Sequence, residues 1–247
     1  METYLKKISE NTSLKPSYQV ILSGKGSRLY SRLSPPLATP GDCKYEIALT
    51  SLETYYSFPN IDEENNSLEI RIKGVWETIT IAPGCYELSS INTEIQRLVV
   101  ERNGEKNSIV LSPNLNTFKC IMELKDVQVR FAEKSIRTVL GFQPGIYKEK
   151  RQESQNIVNI LRVNSILVNC SLITSSYING SCETVAYSFF PNAEPGEKII
   201  ERPTVLIYHP ISFDFISELT VWLTDQEKRS INLREENLTV SFHIRAC

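Results

Sequence analysis

Leu238, Val240, Phe242 and Ile244 alternate with Thr239, Ser241, His243 and Arg245, so an extended segment here has one wholly apolar face and one polar face. A helix would scatter the same four side chains around its circumference, because its period is 3.6 residues. The segment is therefore expected to be a half-buried strand, locked into a sheet by neighbours that present matching faces. The same alternation recurs along the chain. Tyr45, Ile47 and Leu49 oppose Glu46, Ala48 and Thr50. Leu68, Ile70 and Ile72 oppose Glu69, Arg71 and Lys73. Val129 and Phe131 oppose Gln128 and Arg130, and Leu219, Val221 and Leu223 oppose Trp222.

Residues 156–180 form the longest apolar run and read as an inner strand. Ile166, Val168, Cys170 and Leu172 share one side, whereas Leu161 and Val163 fall in the opposite phase. The slip near Asn164-Ser165 predicts a bulge or bend between two strand segments. Asn179-Gly180 then supplies a turn that tolerates positive φ. Shorter strands are expected at 18–23, 77–81, 109–111, 118–122, 184–189 and 204–208. Prolines in Ser34-Pro35-Pro36 and Thr39-Pro40-Gly41 mark an extended connector, because proline cannot donate to a ladder. Ser23-Gly24-Lys25-Gly26-Ser27 lacks the spacing of a phosphate loop and reads as a turn.

One segment follows the helical period: Ile91, Ile95 and Leu98 recur behind a Ser89-Ser90 cap, giving a helix over 89–101. Residues 135–140 predict one further helical turn stopped by Gly141. Loops are expected at 60–67, 143–156 and 191–203. Ten or more short strands, a short helix and long loops imply an all-β, antiparallel two-sheet sandwich. A single jelly roll is the first choice and another Greek-key sandwich the second. No repeat or internal boundary is visible, so the expected organisation is a basic N-terminal arm with the first strand (1–33), followed by a single jelly-roll domain (34–247).

A chain of 247 residues can bury a core without staples. Its net charge of −2 argues against a dedicated nucleic-acid binder. Residues 1–33 depart from that mean, holding Lys6, Lys7, Lys15, Lys25, Arg28 and Arg32 against only Glu2 and Glu10. Cys43, Cys85, Cys120, Cys170, Cys182 and Cys247 are scattered without zinc spacing and read as free thiols. The first residues lack an apolar signal segment, and no stretch approaches the ~20 apolar residues that span a bilayer. A soluble protein without a membrane span is expected. Sequons at Asn11, Asn65, Asn169, Asn179 and Asn237 are read as chance.

Chemistry-bearing patterns are sparse. His209 and His243 are too few for a cupin-type metal site, and both are expected at the surface. Glu63-Glu64 and Glu235-Glu236 read as solvated loop pairs, and no nucleophile elbow or nucleotide loop occurs. Trp76, Tyr55, Tyr56 and Phe58 read as core or interface rather than as stacking platforms. No catalytic residue, cofactor or metal is expected, and the protein is not expected to be an enzyme.

The order of the segments carries more than any one of them. The series at 79–96 (ITIAPGCYELSSINTEIQ), 113–120 (PNLNTFKC), 135–142 (SIRTVLGF), 160–180 (ILRVNSILVNCSLITSSYING), 203–212 (PTVLIYHPIS) and 219–226 (LTVWLTDQ) resembles the penton, or minor capsid, proteins of Polinton/Maverick elements and adintoviruses. These are single-jelly-roll proteins similar in role to virophage pentons. The resemblance spans about residues 44–247. It implies a structural protein whose five copies form a ring at the fivefold vertices of an icosahedral particle, beside a double-jelly-roll major capsid protein. Its location would be the virion, assembled inside the host cell. Lys6, Lys7, Lys15, Lys25, Arg28 and Arg32 would then form an inner-face arm touching that neighbour or packaged DNA. The competing expectations are a trimeric jelly-roll ligand or carbohydrate-binding module, and a carbohydrate-active enzyme using loop carboxylates.

Overall fold

The computed structural model describes residues 15–39 and 44–247. In chain order the strands begin with β1 (Ser17–Lys25), β2 (Arg28–Ala38) and β3 (Tyr45–Tyr55). There follow β4 (Ser67–Ile72), β5 (Val75–Thr80), helix α1 (Leu88–Glu101), β6 (Ile109–Asn114), β7 (Lys119–Leu124), β8 (Gln128–Phe131), helix α2 (Arg137–Leu140), β9 (Gly145–Tyr147) and β10 (Arg151–Ile157). The last group is β11 (Ile166–Cys170), β12 (Ser176–Ile178), β13 (Ser181–Glu183), β14 (Val185–Phe189), β15 (Lys198–Glu201), β16 (His209–Ile211), β17 (Phe215–Asp225) and β18 (Asn237–Ala246). Contacts divide the chain into two compact units, one built from residues up to Ser57 together with Asn164–Cys247, the other from Phe58–Val163. The sequence reading placed no boundary at either point.

The first unit is an antiparallel, jelly-roll-like sandwich. One sheet runs β1-β18-β3-β15, with β16 also pairing β3, and the other runs β14-β11-β17-β2. With β15 and β16 counted as one broken strand, the eight main strands order as 1-8-3-6 and 2-7-4-5. Successive strands thus cross repeatedly between the two sheets, as in a jelly roll. The alternating segment at 238–245 is the inner strand of its sheet, bonded to β1 on one side and β3 on the other. Leu238, Val240, Phe242 and Ile244 are completely buried.

Several expectations are corrected. The proline-rich stretch after Leu33 is part of β2, not a connector. β2 is an edge strand, and a register shift leaves residues 33–36 outside the ladder between the Arg32–Glu218 and Leu37–Ile216 pairs, so the prolines take no bond away from it. The run at 156–180 is not one bent strand. Its first half, including Leu161 and Val163, is irregular, and the predicted phase slip falls where the chain passes between units. β11 is buried on both faces rather than one. Asn169, on its non-alternating side, is inside and donates Nδ2–H bonds to the carbonyls of Leu167 and Trp222 and to Thr224 Oγ1. Asn179 and Gly180 both have positive φ and close the β12–β13 hairpin, as expected. The loop at 191–203 contains β15, and 204–208 is irregular, with the short strand starting at His209 instead. His209 is buried, its ring nitrogens meeting Ser175 Oγ at 3.3 Å and the Ala186 carbonyl at 3.2 Å.

The second unit has its own core. Sheets β5-β4-β8-β9 and β10-β7-β6 contribute Ile70, Ile79, Met122 and Phe131, and α1 contributes Leu88, Ile91, Ile95 and Val99. The helical stripe ends on Val99 rather than Leu98, which is only partly buried. Glu87, not serine, occupies the N-cap, without a side-chain cap bond. The expected loop at 143–156 is largely β9 and β10, with Arg151 of β10 exposed and Glu153 half-buried. Phe142 stacks on Phe131 and meets Tyr147 edge-on, with centroids 5.3 and 5.1 Å apart. Gly141 stops α2 at φ 82°, and a Cβ there would strike the carbonyl oxygens of Asn156 and Ile157.

Because its apolar side chains are satisfied among themselves, residues 58–163 expressed alone should unfold cooperatively in urea. Gly141→Ala in that fragment should cost about 1–3 kcal/mol, from positive φ and the backbone collision together. A non-cooperative melt of the unsubstituted fragment would show that its core depends on the rest of the chain.

Candidate assembly surface

A sandwich of this topology exposes four edge strands. On one flank these are β1 and β2, which are consecutive in sequence, and on the other β14 and β15. Edge strands present unpaired backbone groups, and proteins ordinarily protect them with charge, proline or a cover. β2 carries prolines and arginines. On the other flank β14 and β15 expose Ser188, Lys198 and Ile200, the last at 55%, and two large apolar side chains are exposed in the adjoining chain, Phe190 directly after β14 at 71% and Val205 beyond β15 at 73%. Ile21 on β1 and Tyr30 on β2 are the exposed large side chains of the opposite flank, with Phe213 and Phe215 beside the end of β2.

The described basic residues do not form one patch. Lys6 and Lys7 lie outside the described residues. Lys15 precedes β1 and Lys25 ends it, so the nine-residue strand separates them by about 30 Å. Lys25, Arg28 and Arg32 are exposed on consecutive edge strands. Arg28 sits over the Trp222 ring, 5.5 Å from its centre. Arg32 is opposite Glu218, whose Oε2 accepts the Tyr30 hydroxyl at 2.9 Å and raises the tyrosine pKa. An acidic group thus stands beside the middle of this strip.

The outer face of β18 holds an arrangement that the sequence alternation left anonymous. His243 lies between Ser17 Oγ and Tyr208 Oη, each at 2.7 Å. Arg245 lies over the Tyr208 ring and bonds Glu46 at 2.6 Å. The identity of the partners, on β1, β3 and the irregular 202–208 segment, depends on strand order, which local periodicity does not contain. These bonds tie that segment to the sheet rather than opening a cleft. Burial pushes the Cys120 and Cys170 thiols up to about 12, which suppresses the nucleophilic thiolate. Among the described residues, no group of three or more His, Cys, Asp or Glu is placed to hold a metal ion, and no helix is long and apolar enough to cross a membrane.

No family model and no curated protein matches the chain. Solved structures do. The crystal structure of selenomethionine-labelled mavirus penton protein aligns with 94% of this chain and the whole of its own, at a TM-score of 0.50 and 11% identity. That likeness is one of fold, and it covers most of the chain.

Replacing Lys25, Arg28 and Arg32 together with glutamine should leave the protein folded, with loss limited to about 1 kcal/mol from the Arg28–Trp222 contact. Deleting residues 1–33 should abolish cooperative unfolding of the sandwich, since β1 and the start of β2 go with them. Maleimide labelling of the native protein should reach the exposed Cys182 within minutes and spare Cys120 and Cys170 until denaturant is added.

Proposed function

We propose that the protein is a penton, or minor capsid, protein of the Polinton/Maverick and adintovirus kind, whose five copies close a ring at a capsid vertex. The observation that carries this reading is the jelly-roll-like sandwich whose two flanks expose different apolar side chains. Ring closure uses a heterologous contact, in which one patch meets a different patch on the next copy. Phe190, Ile200 and Val205 on one flank, and Ile21 and Tyr30 on the other, are the two halves of such a contact. The fold likeness to mavirus penton protein supports the same reading. An obligate ring contact buries roughly 2,000 Å² or more, and side chains of this size at sheet edges are the natural centre of it. A double-jelly-roll major capsid protein is the expected neighbour. Lys6, Lys7, Lys15, Lys25, Arg28 and Arg32 are the groups proposed to meet that neighbour or packaged DNA.

Native mass spectrometry of the purified protein should give a species of five chain masses, and negative-stain images should show fivefold rings. Ile200→Glu with Val205→Glu should shift the population to folded monomer, because two charges would be desolvated in the contact. A three-chain mass would favour a trimeric ligand module instead. A protein that stays monomeric at high concentration and fails to join particles of a major capsid protein would refute the assignment.

A further inference from the structure

The second unit contains a cleft of about 640 Å³ lined by Arg71, Gly74, Leu124, Lys125, Asp126, Val127, Gln128, Lys148 and Lys150. Three connections converge on it: the β4–β5 hairpin turn, and the β7–β8 and β9–β10 segments that pass between the unit's two sheets. They are held to one another by backbone. Leu124 N–H donates to the Lys150 carbonyl at 2.9 Å, Arg71 is in register with Gln128, and Arg71 Nε–H donates to the Gly74 carbonyl at 3.1 Å. The cleft is therefore preformed, and its volume is that of a small-ligand site.

Its charge is one-sided. Four cations face a single carboxylate, Asp126, and of the four only Lys125 has an ion-pair partner, Glu105 at 3.5 Å. Like charges gathered around a concave surface repel one another unless an anion joins them. Arg71, its Nε already fixed, offers its terminal nitrogens in the planar fork that suits a tetrahedral oxyanion, and the lysines add point charges. No aromatic side chain lines the cleft, so it offers no stacking platform for nucleic-acid bases. Gln128 and Asp126 instead supply an amide and a carboxylate able to bond hydroxyl groups. The combination of oxyanion clamp, hydroxyl partners and no stacking surface suits a sugar that carries an anionic ester.

We propose that this cleft binds a sulfated sugar, the sulfate lying among Arg71, Lys148 and Lys150 and the ring hydroxyls facing Gln128 and Asp126. The site lies within residues 58–163 and does not depend on whether the sandwich assembles. It gives the chain a ligand-binding activity separate from any structural one.

The test is calorimetric titration of the full-length protein with a size-defined heparin tetrasaccharide at low ionic strength. Its chemically desulfated counterpart and a single-stranded oligonucleotide of equal charge serve as comparisons. The tetrasaccharide should bind at one site per chain, the desulfated sugar at least tenfold more weakly, and the oligonucleotide more weakly than the tetrasaccharide. Lys148→Glu with Lys150→Glu should weaken binding at least tenfold, and the milder Lys148→Gln with Lys150→Gln severalfold. Lys106→Glu with Lys134→Glu, an equal charge change outside the cleft, should alter it less than twofold. Lys148 and Lys150 are both exposed, so folding should survive, as circular dichroism would verify. Equal loss in the two reversed pairs, tighter binding of the oligonucleotide, or no heat with the tetrasaccharide would overturn the proposal.

Discussion

The pairing of β18 between β1 and β3 is the constraint on which the sandwich depends. It brings residues 237–246 against residues 17–25 on one side and 45–55 on the other, so the two ends of the chain and a strand before the second unit share one ladder. Each inward side chain of β18 is fully enclosed, and burying a large aliphatic or aromatic side chain contributes roughly 1.5–3 kcal/mol. Among the described residues, β1 has no other strand partner in its sheet. Without β18 the sheet would lose its first strand as well as its second, and Val20, Leu22, Ile47 and Leu49 would all lose part of their cover. This is a fold of high contact order, whose central pairing forms between segments separated by nearly the whole chain, at a large cost in loop closure.

That cost bears on the second unit. An excursion of about a hundred residues between β3 and β11 adds little further closure entropy, because the penalty grows only logarithmically with loop length. If the excursion were disordered, it would still compete for apolar partners during folding. The internal satisfaction of its core removes that competition. Ile70, Ile91, Phe131 and Phe142 find one another within the segment, and the Gly141 turn lets α2 end where the β10 backbone passes close by. A self-contained insertion in a jelly roll can vary in its loops without disturbing the ladders of the sandwich, as long as β3 and β11 keep their register.

Local periodicity made the strands legible wherever one face is wet. The segments at 45–50, 68–72, 129–131, 219–223 and 238–244 alternate in sequence and lie with those faces inward. It failed where both faces are covered or where the chain bends. β11 buries Leu167 and Asn169 as well as their neighbours, so alternation there did not mark one face as outside. β10 holds mostly charged and polar residues because it lies at a sheet edge, and β15, also an edge, is only four residues long with a charge at each end, so both look like loops. The division into units was hidden for a different reason: the first unit is discontinuous, and its boundaries fall in ordinary irregular segments without proline or glycine runs. The Tyr208–His243–Ser17 string and the basic cleft of the second unit were equally invisible. Each joins residues from separate elements, and only the strand order brings them together.

Edge strands impose the final constraint. A sandwich cannot close on itself as a barrel does, so its flanks expose backbone donors and acceptors that invite pairing with other chains. β2 resists with prolines and arginines, and Arg32 beside Glu218 keeps charge on that flank. β15 holds Lys198 against Glu53 but also turns Ile200 outward. Phe190 and Val205 leave the same flank apolar. Exposed side chains of this size beside an edge strand stay in contact with water in an isolated copy. Their free energy becomes favourable only when another surface removes them from water, and a flank of different composition on an identical copy is always present at the concentration of the protein itself. A closed ring of copies uses every such flank once and leaves no apolar edge exposed, whereas an open chain of copies always leaves two.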